Sequence, residues 1–172
     1  MHRLHLLRHA KASREAGVED RERPLDARGR DEARRVGASL PAALGAIDLV
    51  LCSPALRTRQ TAELALAGFA PAPRILVEDA LYLAGDAALL RRLQAIDEGA
   101  VAVLLVGHNP GLRELAIRLA APHSPRFRAL AGGKFPTMAR ASLAIEGRWE
   151  ALARAKHALS AYVTPKSLGE GG

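Results

Sequence analysis

The chain has 172 residues, of which 49% are hydrophobic and 3% aromatic, and its formal net charge is +7. This length suits one domain with a sizeable core and is too short for two full domains. Because aromatic residues are so few, the core must be aliphatic. The positive charge is compatible with a phosphorylated substrate, whereas scattered arginines and scarce aromatic side chains argue against a partner that is nucleic acid.

Short aliphatic runs alternate along the chain with longer segments of helical periodicity. The predicted strands cover residues 4–7, 47–52, 74–77, 101–106 and, after a glycine-rich loop, 143–145. Four helices lie between them. Residues at helical spacing mark the first two helices: Ala33, Val36 and Leu40 in the first, and Thr61, Leu64 and Ala65 in the second. Asp86 is the predicted cap of the third helix, and Pro110 the predicted first-turn residue of the fourth.

This order of strands and helices predicts the fold class. We expect an α/β three-layer sandwich, with a mostly parallel central sheet and helices on both faces. A single domain should cover residues 1–165, followed by a flexible tail over 166–172; the stretch after Trp149 carries no assignable pattern. Cys52 is the single cysteine, and the sequence shows neither a signal peptide nor a run of membrane-spanning length. We therefore expect a cytoplasmic protein without a membrane partner.

Candidate functional residues follow three of the predicted strands. Arg8 and His9 follow the first strand, Arg57 lies shortly after the second, and His108 and Asn109 follow the fourth. Because the carboxyl ends of parallel strands share one edge of a sheet, we expect these loops to surround one crevice. Arginine provides forked donors for phosphate oxygens, and a neutral imidazole can attack phosphorus. The three loops together predict a phosphoryl site, although each residue alone has a simpler explanation as a surface charge or an exposed histidine.

A zinc pair formed by His5 and His9 is disfavoured. The segment is a predicted strand, no glutamate follows His5 as the zinc hydrolase motif requires, and Arg8 would repel a cation. We expect no metal ligands, and His5 is interpreted as a core or sheet-face histidine.

The three loops also resemble a known family. The segments LLRHAKAS, CSPALRTRQTAE and LLVGHNPGL resemble the signature segments of the histidine phosphatase superfamily. Within the superfamily, the chain most resembles the phosphohistidine phosphatase branch of the SixA type. This resemblance rests on the segments RHAKAS and VGHNPGL and on the short length of the chain. The resemblance runs from about residue 4 to residue 112 and extends more weakly through FP to the strand near residue 143. It implies a phosphoglycerate mutase-like fold and a metal-independent hydrolase of phosphoric monoesters or phosphoramidates, without a cofactor.

Residue roles follow from the resemblance by position. It implies that His9 is the nucleophile that becomes phosphorylated. It also implies that Arg8, Arg57 and His108 hold the phosphoryl oxygens, with His108 stabilising the transition state. Two further substrate-binding residues are implied, namely Asn109 and Ser13.

Two departures from the family pattern bear on the substrate. Many relatives carry an acidic residue that protonates the leaving oxygen. The nearest candidates in this chain, Glu78 and Asp79, match that motif poorly, so it stays open whether either of them acts as the acid. An imidazole leaving group needs such an acid less, and residues 71–100 leave no room for a large covering insertion. We therefore expect protein phosphohistidine as substrate. The alternatives are a phosphatase of small phosphorylated metabolites and a catalytically idle phosphate-binding module.

Overall fold

The computed structural model describes residues 1–169 and contains a six-stranded sheet with the order β3-β2-β4-β1-β5-β6. The strands are β1 (His2–Arg8), β2 (Leu49–Cys52), β3 (Arg74–Val77), β4 (Ala102–Gly107), β5 (Arg140–Ile145) and β6 (Ala158–Val163). Strands β3, β2, β4 and β1 pair in parallel, and β5 pairs antiparallel with both of its neighbours. The predicted mostly parallel sheet is therefore confirmed.

Helices cover both faces of this sheet. They are α1 (Ala27–Gly37), α2 (Leu40–Leu44), α3 (Leu56–Ala65), α4 (Asp86–Gln94), α5 (Gly111–Leu119), α6 (Phe127–Gly132) and α7 (Pro165–Gly169). Apolar side chains of α1, α2 and α3 pack on one face, and those of α4 and α5 pack on the other together with a 3₁₀ segment, Trp149–Arg154. The result is the predicted three-layer sandwich.

The central strands divide their side chains between the two layers. In β4, Val103 and Leu105 join the core beneath α4 and α5, whereas Leu104 and Val106 join the core beneath α1 and α3. All four are fully buried. This explains the continuous aliphatic runs in the sequence, since a strand covered on both faces is apolar at every position.

Three local predictions were wrong in detail. Helix α1 ends at Gly37, so Leu40 begins a separate helix, α2. Asp86 is the first residue of α4, and Gly85 occupies the cap position. The Asp86 carboxylate accepts a hydrogen bond from Arg118 and does not cap the helix. Pro110 occupies the cap position before α5 instead of its first turn.

The C-terminal third was the least predictable part of the chain. The stretch after Trp149 is the 3₁₀ segment, followed by β6, which the sequence did not reveal. Residues 166–169 of the predicted tail belong to helix α7, and residues 170–172 lie outside the described residues. Within residues 1–169, no helix combines the length and the apolar character needed to cross a membrane.

Candidate active site

The sheet itself aligns the three loops that carry the predicted functional residues. The backbone N–H of His9 donates to Gly107 O, and that of Ser53 donates to Val106 O, each at 3.1 Å. These bonds continue the parallel ladders by one residue past the strand ends. The first residues after β1, β2 and β4 are therefore fixed side by side, because β4 pairs with both other strands.

Helix α3 ties the same loops together from one side. The buried hydroxyl of Thr61 donates to Arg57 O at 2.7 Å and accepts from the backbone N–H of Ala10 at 3.0 Å. The neighbouring Gln60 side chain accepts from the backbone N–H of Leu25 at 2.8 Å. In RTRQTA, the glutamine and threonine thus position the loop that follows His9. The sequence had suggested only a packing role for Thr61.

A cavity of about 610 Å³ opens at this edge of the sheet. It brings together five of the six predicted site residues, which are Arg8, His9, Arg57, His108 and Asn109. Ser13 is not among the lining residues. Its hydroxyl instead accepts from the backbone N–H of Glu15 at 3.3 Å. The cavity walls also contain residues that sequence reasoning missed, namely Lys11, Arg14, Asp20 and Arg23.

His9 is held as a neutral imidazole with a defined tautomer. Its Nδ1 lies 2.7 Å from the carbonyl oxygen of Ala10, which can only accept, so Nδ1 carries the proton. Burial lowers the pKa of His9 from 6.5 to about 3. The hydrogen bond to Ala10 O opposes this shift, and the nearby guanidinium charges of Arg57 and Arg8 add to it. The Nε2 atom therefore carries a lone pair, and it has no hydrogen-bond partner among the described residues.

His108 stands beside His9, with 5.4 Å between the ring centroids. Its Nδ1 lies 3.4 Å from an Nη2 donor of Arg57, and its Nε2 lies 2.6 Å from the fully buried Ser53 Oγ. Arginine can only donate, so Nδ1 accepts in this structure and Nε2–H donates to Ser53. Burial, followed by the charge of Arg57, lowers the pKa of His108 to about 4.

Arg8 and Arg57 form part of the wall of the cavity. The Nε atoms of both arginines are buried and lack a hydrogen-bond partner within residues 1–169. One guanidinium nitrogen of Arg8 donates to Phe135 O at 2.9 Å, and the Asn109 amide donates to the same oxygen at 2.7 Å. Unmatched donors in a buried wall are costly unless an acceptor reaches them, so the arrangement suits an oxyanion.

Asp20 is a carboxylate at this site that sequence reasoning did not identify. It accepts from Arg57 Nη2 at 3.0 Å and from the Tyr82 hydroxyl, and Arg57 also donates to its backbone oxygen at 2.6 Å. The Tyr82 hydrogen bond, assisted by Arg57 and Arg23, lowers the pKa of Asp20 to about 2. Asp20 is therefore ionised at neutral pH, and it orients Arg57. No local sequence pattern distinguishes it, because it lies in an exposed 3₁₀ turn, Asp20–Glu22.

The two acid candidates named from the sequence lie elsewhere. Glu78 makes two hydrogen bonds of 2.7 Å with Arg92, and Asp79 is an exposed partner of Arg21. Neither lines the cavity. His5 is a buried sheet histidine, as interpreted, and its Nδ1 lies 2.8 Å from Ser142 Oγ. Within residues 1–169, no group of three or more His, Cys, Asp or Glu side chains is placed to hold a metal ion.

Comparison with known proteins identifies the family. The model of the histidine phosphatase superfamily (branch 1) matches residues 4–81. An uncharacterised protein of Mycobacterium tuberculosis is 36% identical over 163 residues, which cover 93% of this chain and 100% of that protein. An uncharacterised protein of Mycobacterium leprae is 32% identical, with 93% and 100% of the two chains covered.

Solved structures agree with this match. A SixA protein of Nakamurella multipartitia is 32% identical with a TM-score of 0.83, covering 95% of this chain and 96% of that one. One from Agrobacterium tumefaciens is 29% identical with a TM-score of 0.80, covering 95% and 98%. The chain belongs to the histidine phosphatase superfamily, in its SixA-like branch, and is a phosphatase of that superfamily.

Proposed function

We propose that this phosphatase hydrolyses phosphohistidine on proteins through a phosphohistidine intermediate at His9. The observation that carries the proposal is the state of the His9 ring: a neutral imidazole whose Nδ1–H is bound to Ala10 O, with a free Nε2 lone pair in a cavity lined by Arg8 and Arg57. A neutral, oriented imidazole is the form that can attack phosphorus.

The reaction proceeds in two displacements. The Nε2 lone pair of His9 forms a bond to phosphorus while the bond from phosphorus to the substrate imidazole breaks, and the leaving nitrogen takes a proton from solvent. Water then attacks phosphorus, the bond to His9 breaks, and inorganic phosphate leaves. Arg8 and Arg57 bind the phosphoryl oxygens in both steps, and His108 donates to one of them.

Donation by His108 requires its tautomer to change. Its Nδ1 faces Arg57 and holds a lone pair, so the proton must sit on Nδ1 before that atom can donate to a phosphoryl oxygen. The Ser53 hydroxyl permits this change, because it can accept from Nε2–H or donate to an unprotonated Nε2. Ser53 is thus a positioning residue that acts through His108.

Two observations favour phosphohistidine over an alkyl phosphate. Glu78 and Asp79 lie outside the cavity, so neither is placed to protonate a poor leaving group, whereas an imidazole nitrogen needs little help. A structural relative, 28% identical with a TM-score of 0.78, is a protein histidine phosphatase, SixA, complexed with tungstate. The proposed route uses only protein side chains and requires no metal ion.

The decisive experiment maps the covalent intermediate. The enzyme is mixed briefly with a phosphohistidine-containing protein labelled on phosphorus, quenched at alkaline pH and low temperature, and mapped by mass spectrometry. The label is expected on His9. Phosphate on another residue would refute the assignment to His9, and no label on the enzyme at any quench time while turnover is rapid would refute the covalent route.

A substitution tests the same step independently. His9→Ala should leave less than about a hundredth of the wild-type rate while preserving the fold and phosphate binding, since loss of a nucleophile costs several orders of magnitude. His123→Ala is the matched control, because His123 is exposed and does not line the cavity.

Chelator treatment should leave the wild-type rate unchanged, and loss of activity on chelation would contradict the metal-free route.

The substrate class is tested separately from the intermediate. Rates on a phosphohistidine protein, on sugar phosphates and on phosphoserine should rank the first substrate highest. A higher kcat/KM on any small phosphate ester would move the assignment to a metabolite phosphatase. Phosphate binding without turnover of any substrate would indicate an idle binding module.

A further inference from the structure

The cavity carries more positive charge than a phosphoryl group requires. Its lining includes five cationic side chains, of Arg8, Lys11, Arg14, Arg23 and Arg57, and one carboxylate, from Asp20. With His9 and His108 neutral, four positive charges are in excess, and a phosphoryl dianion neutralises two of them. Lys11 is in part compensated by Asp26 at 3.6 Å, and Arg23 contacts Asp20 at 3.0 Å.

The excess continues along the surface into a second, adjoining cavity. This cavity, of about 580 Å³, shares Arg8, Asn109 and Thr137 with the first and adds Arg113 and Lys134. Cations therefore continue from the phosphoryl site into the adjoining cavity. We define the basic rim as Lys11, Arg14, Arg23, Arg113 and Lys134.

Two members of the basic rim are free to meet a ligand. Arg14 and Lys134 are exposed, and neither forms an ion pair with a described residue. A cation that binds no protein carboxylate and sits beside an anion site remains available to a second anionic group. Because Arg14 lines the first cavity and Lys134 the adjoining one, a ligand that contacts both must extend past the shared wall that contains Arg8.

We propose that the basic rim binds carboxylates that flank the phosphorylated side chain of a protein substrate, so that acidic surroundings select the phosphohistidine that is hydrolysed. This inference rests on the proposed function and specifies its substrate. The exposed Leu83 side chain, 54% accessible, lies at the cavity wall and offers an apolar contact to a polypeptide. No exposed Phe, Tyr or Trp ring lines the cavities formed by residues 1–169, so base stacking has no platform.

The test uses two phosphohistidine peptides of equal length, one with Asp and Glu on both sides of the phosphohistidine and one with Gln and Ser there. The acidic peptide should have the higher kcat/KM, by about tenfold at low salt, and the preference should shrink as ionic strength rises. The double variant Arg14→Gln, Lys134→Gln should lose about three- to tenfold on the acidic peptide, since one exposed ion pair changes an affinity by up to about fivefold. On the neutral peptide the loss should be smaller than on the acidic peptide, so that the ratio of the two kcat/KM values falls; an equal loss on both peptides would overturn the inference.

The matched control is Arg74→Gln. Arg74 is an exposed arginine at the amino end of β3, opposite the sheet edge that carries the site. It should leave the preference intact, and an equal loss in this control would reduce the effect to net charge and overturn the inference.

The outcomes separate the two proposals. Equal hydrolysis of both peptides overturns the basic rim as a selectivity device and leaves the phosphohistidine activity standing. If neither peptide is hydrolysed while small phosphate esters are, the proposed function fails and this inference fails with it. Stronger inhibition by a single-stranded oligonucleotide than by polyglutamate of equal charge would assign the basic rim to nucleic acid and overturn the proposal.

Discussion

Acid should unfold this protein through its buried neutral histidines. Burial lowers the pKa of His5 and His108 from 6.5 to about 4 and that of His9 to about 3. In the unfolded chain all three regain ordinary values near 6.5. As pH falls below that value the unfolded state takes up protons that the folded state does not, so the free energy of unfolding decreases.

The magnitude follows from the same pKa values. Between pH 7 and pH 5 each histidine removes about 2 kcal/mol, and the three together remove about 6 kcal/mol. A domain of this kind has a total stability of about 5 to 15 kcal/mol, so the loss is a large share of it. Below pH 4 the effect of His5 and His108 levels off, because both then protonate in the folded state as well.

Urea denaturation at pH 7 and pH 5 measures the difference. The His5→Gln variant should show a pH dependence smaller by about 2 kcal/mol, because one of the three groups is gone. His123→Gln, at an exposed position, should match the wild type. A wild-type loss under about 2 kcal/mol, or an undiminished loss in His5→Gln, would refute the assignment of buried neutral histidines.

Three further predictions concern the site. Ser53→Ala should lower kcat about tenfold or more, because it leaves Nε2 of His108 without its hydrogen-bond partner. Ser53→Cys places a weaker hydrogen-bonding group of similar size there, so its kcat should lie between those of the wild type and Ser53→Ala. Nitrogen NMR of His108 reads the tautomer directly, and an unchanged spectrum in Ser53→Ala would exclude the positioning role. Glu78→Gln and Asp79→Asn should each change the phosphohistidine rate by less than about tenfold; efficient alkyl ester hydrolysis that collapses in either variant would contradict this. Vanadate should inhibit at concentrations well below those of phosphate, since it adopts the shape of the transition state, and equal inhibition would mean that the site recognises charge alone.

Hydrophobic periodicity in the sequence predicted five of the six strands and the edge of the sheet at which the site lies. Residues 101–106 read as a buried strand because β4 is covered on both faces, and such a strand is apolar throughout. The parallel arrangement then places the first residue after each strand at one edge. His9 and His108 were therefore predictable as neighbours although 99 positions separate them in the numbering.

Tertiary structure decided which polar residues complete the site. Asp20 lies in a short exposed turn with no distinctive pattern, and it joins Arg57 only because the loop after β1 folds back over α3. Ser13, which the family resemblance implied as a substrate-binding residue, is not among the lining residues of the cavity, and its hydroxyl accepts from the backbone N–H of Glu15 within its own loop. The positions of strands and helices along the chain follow from local hydrophobic spacing. The order of the strands in the sheet and the placement of loop side chains depend on contacts between residues distant in sequence, which no local pattern encodes.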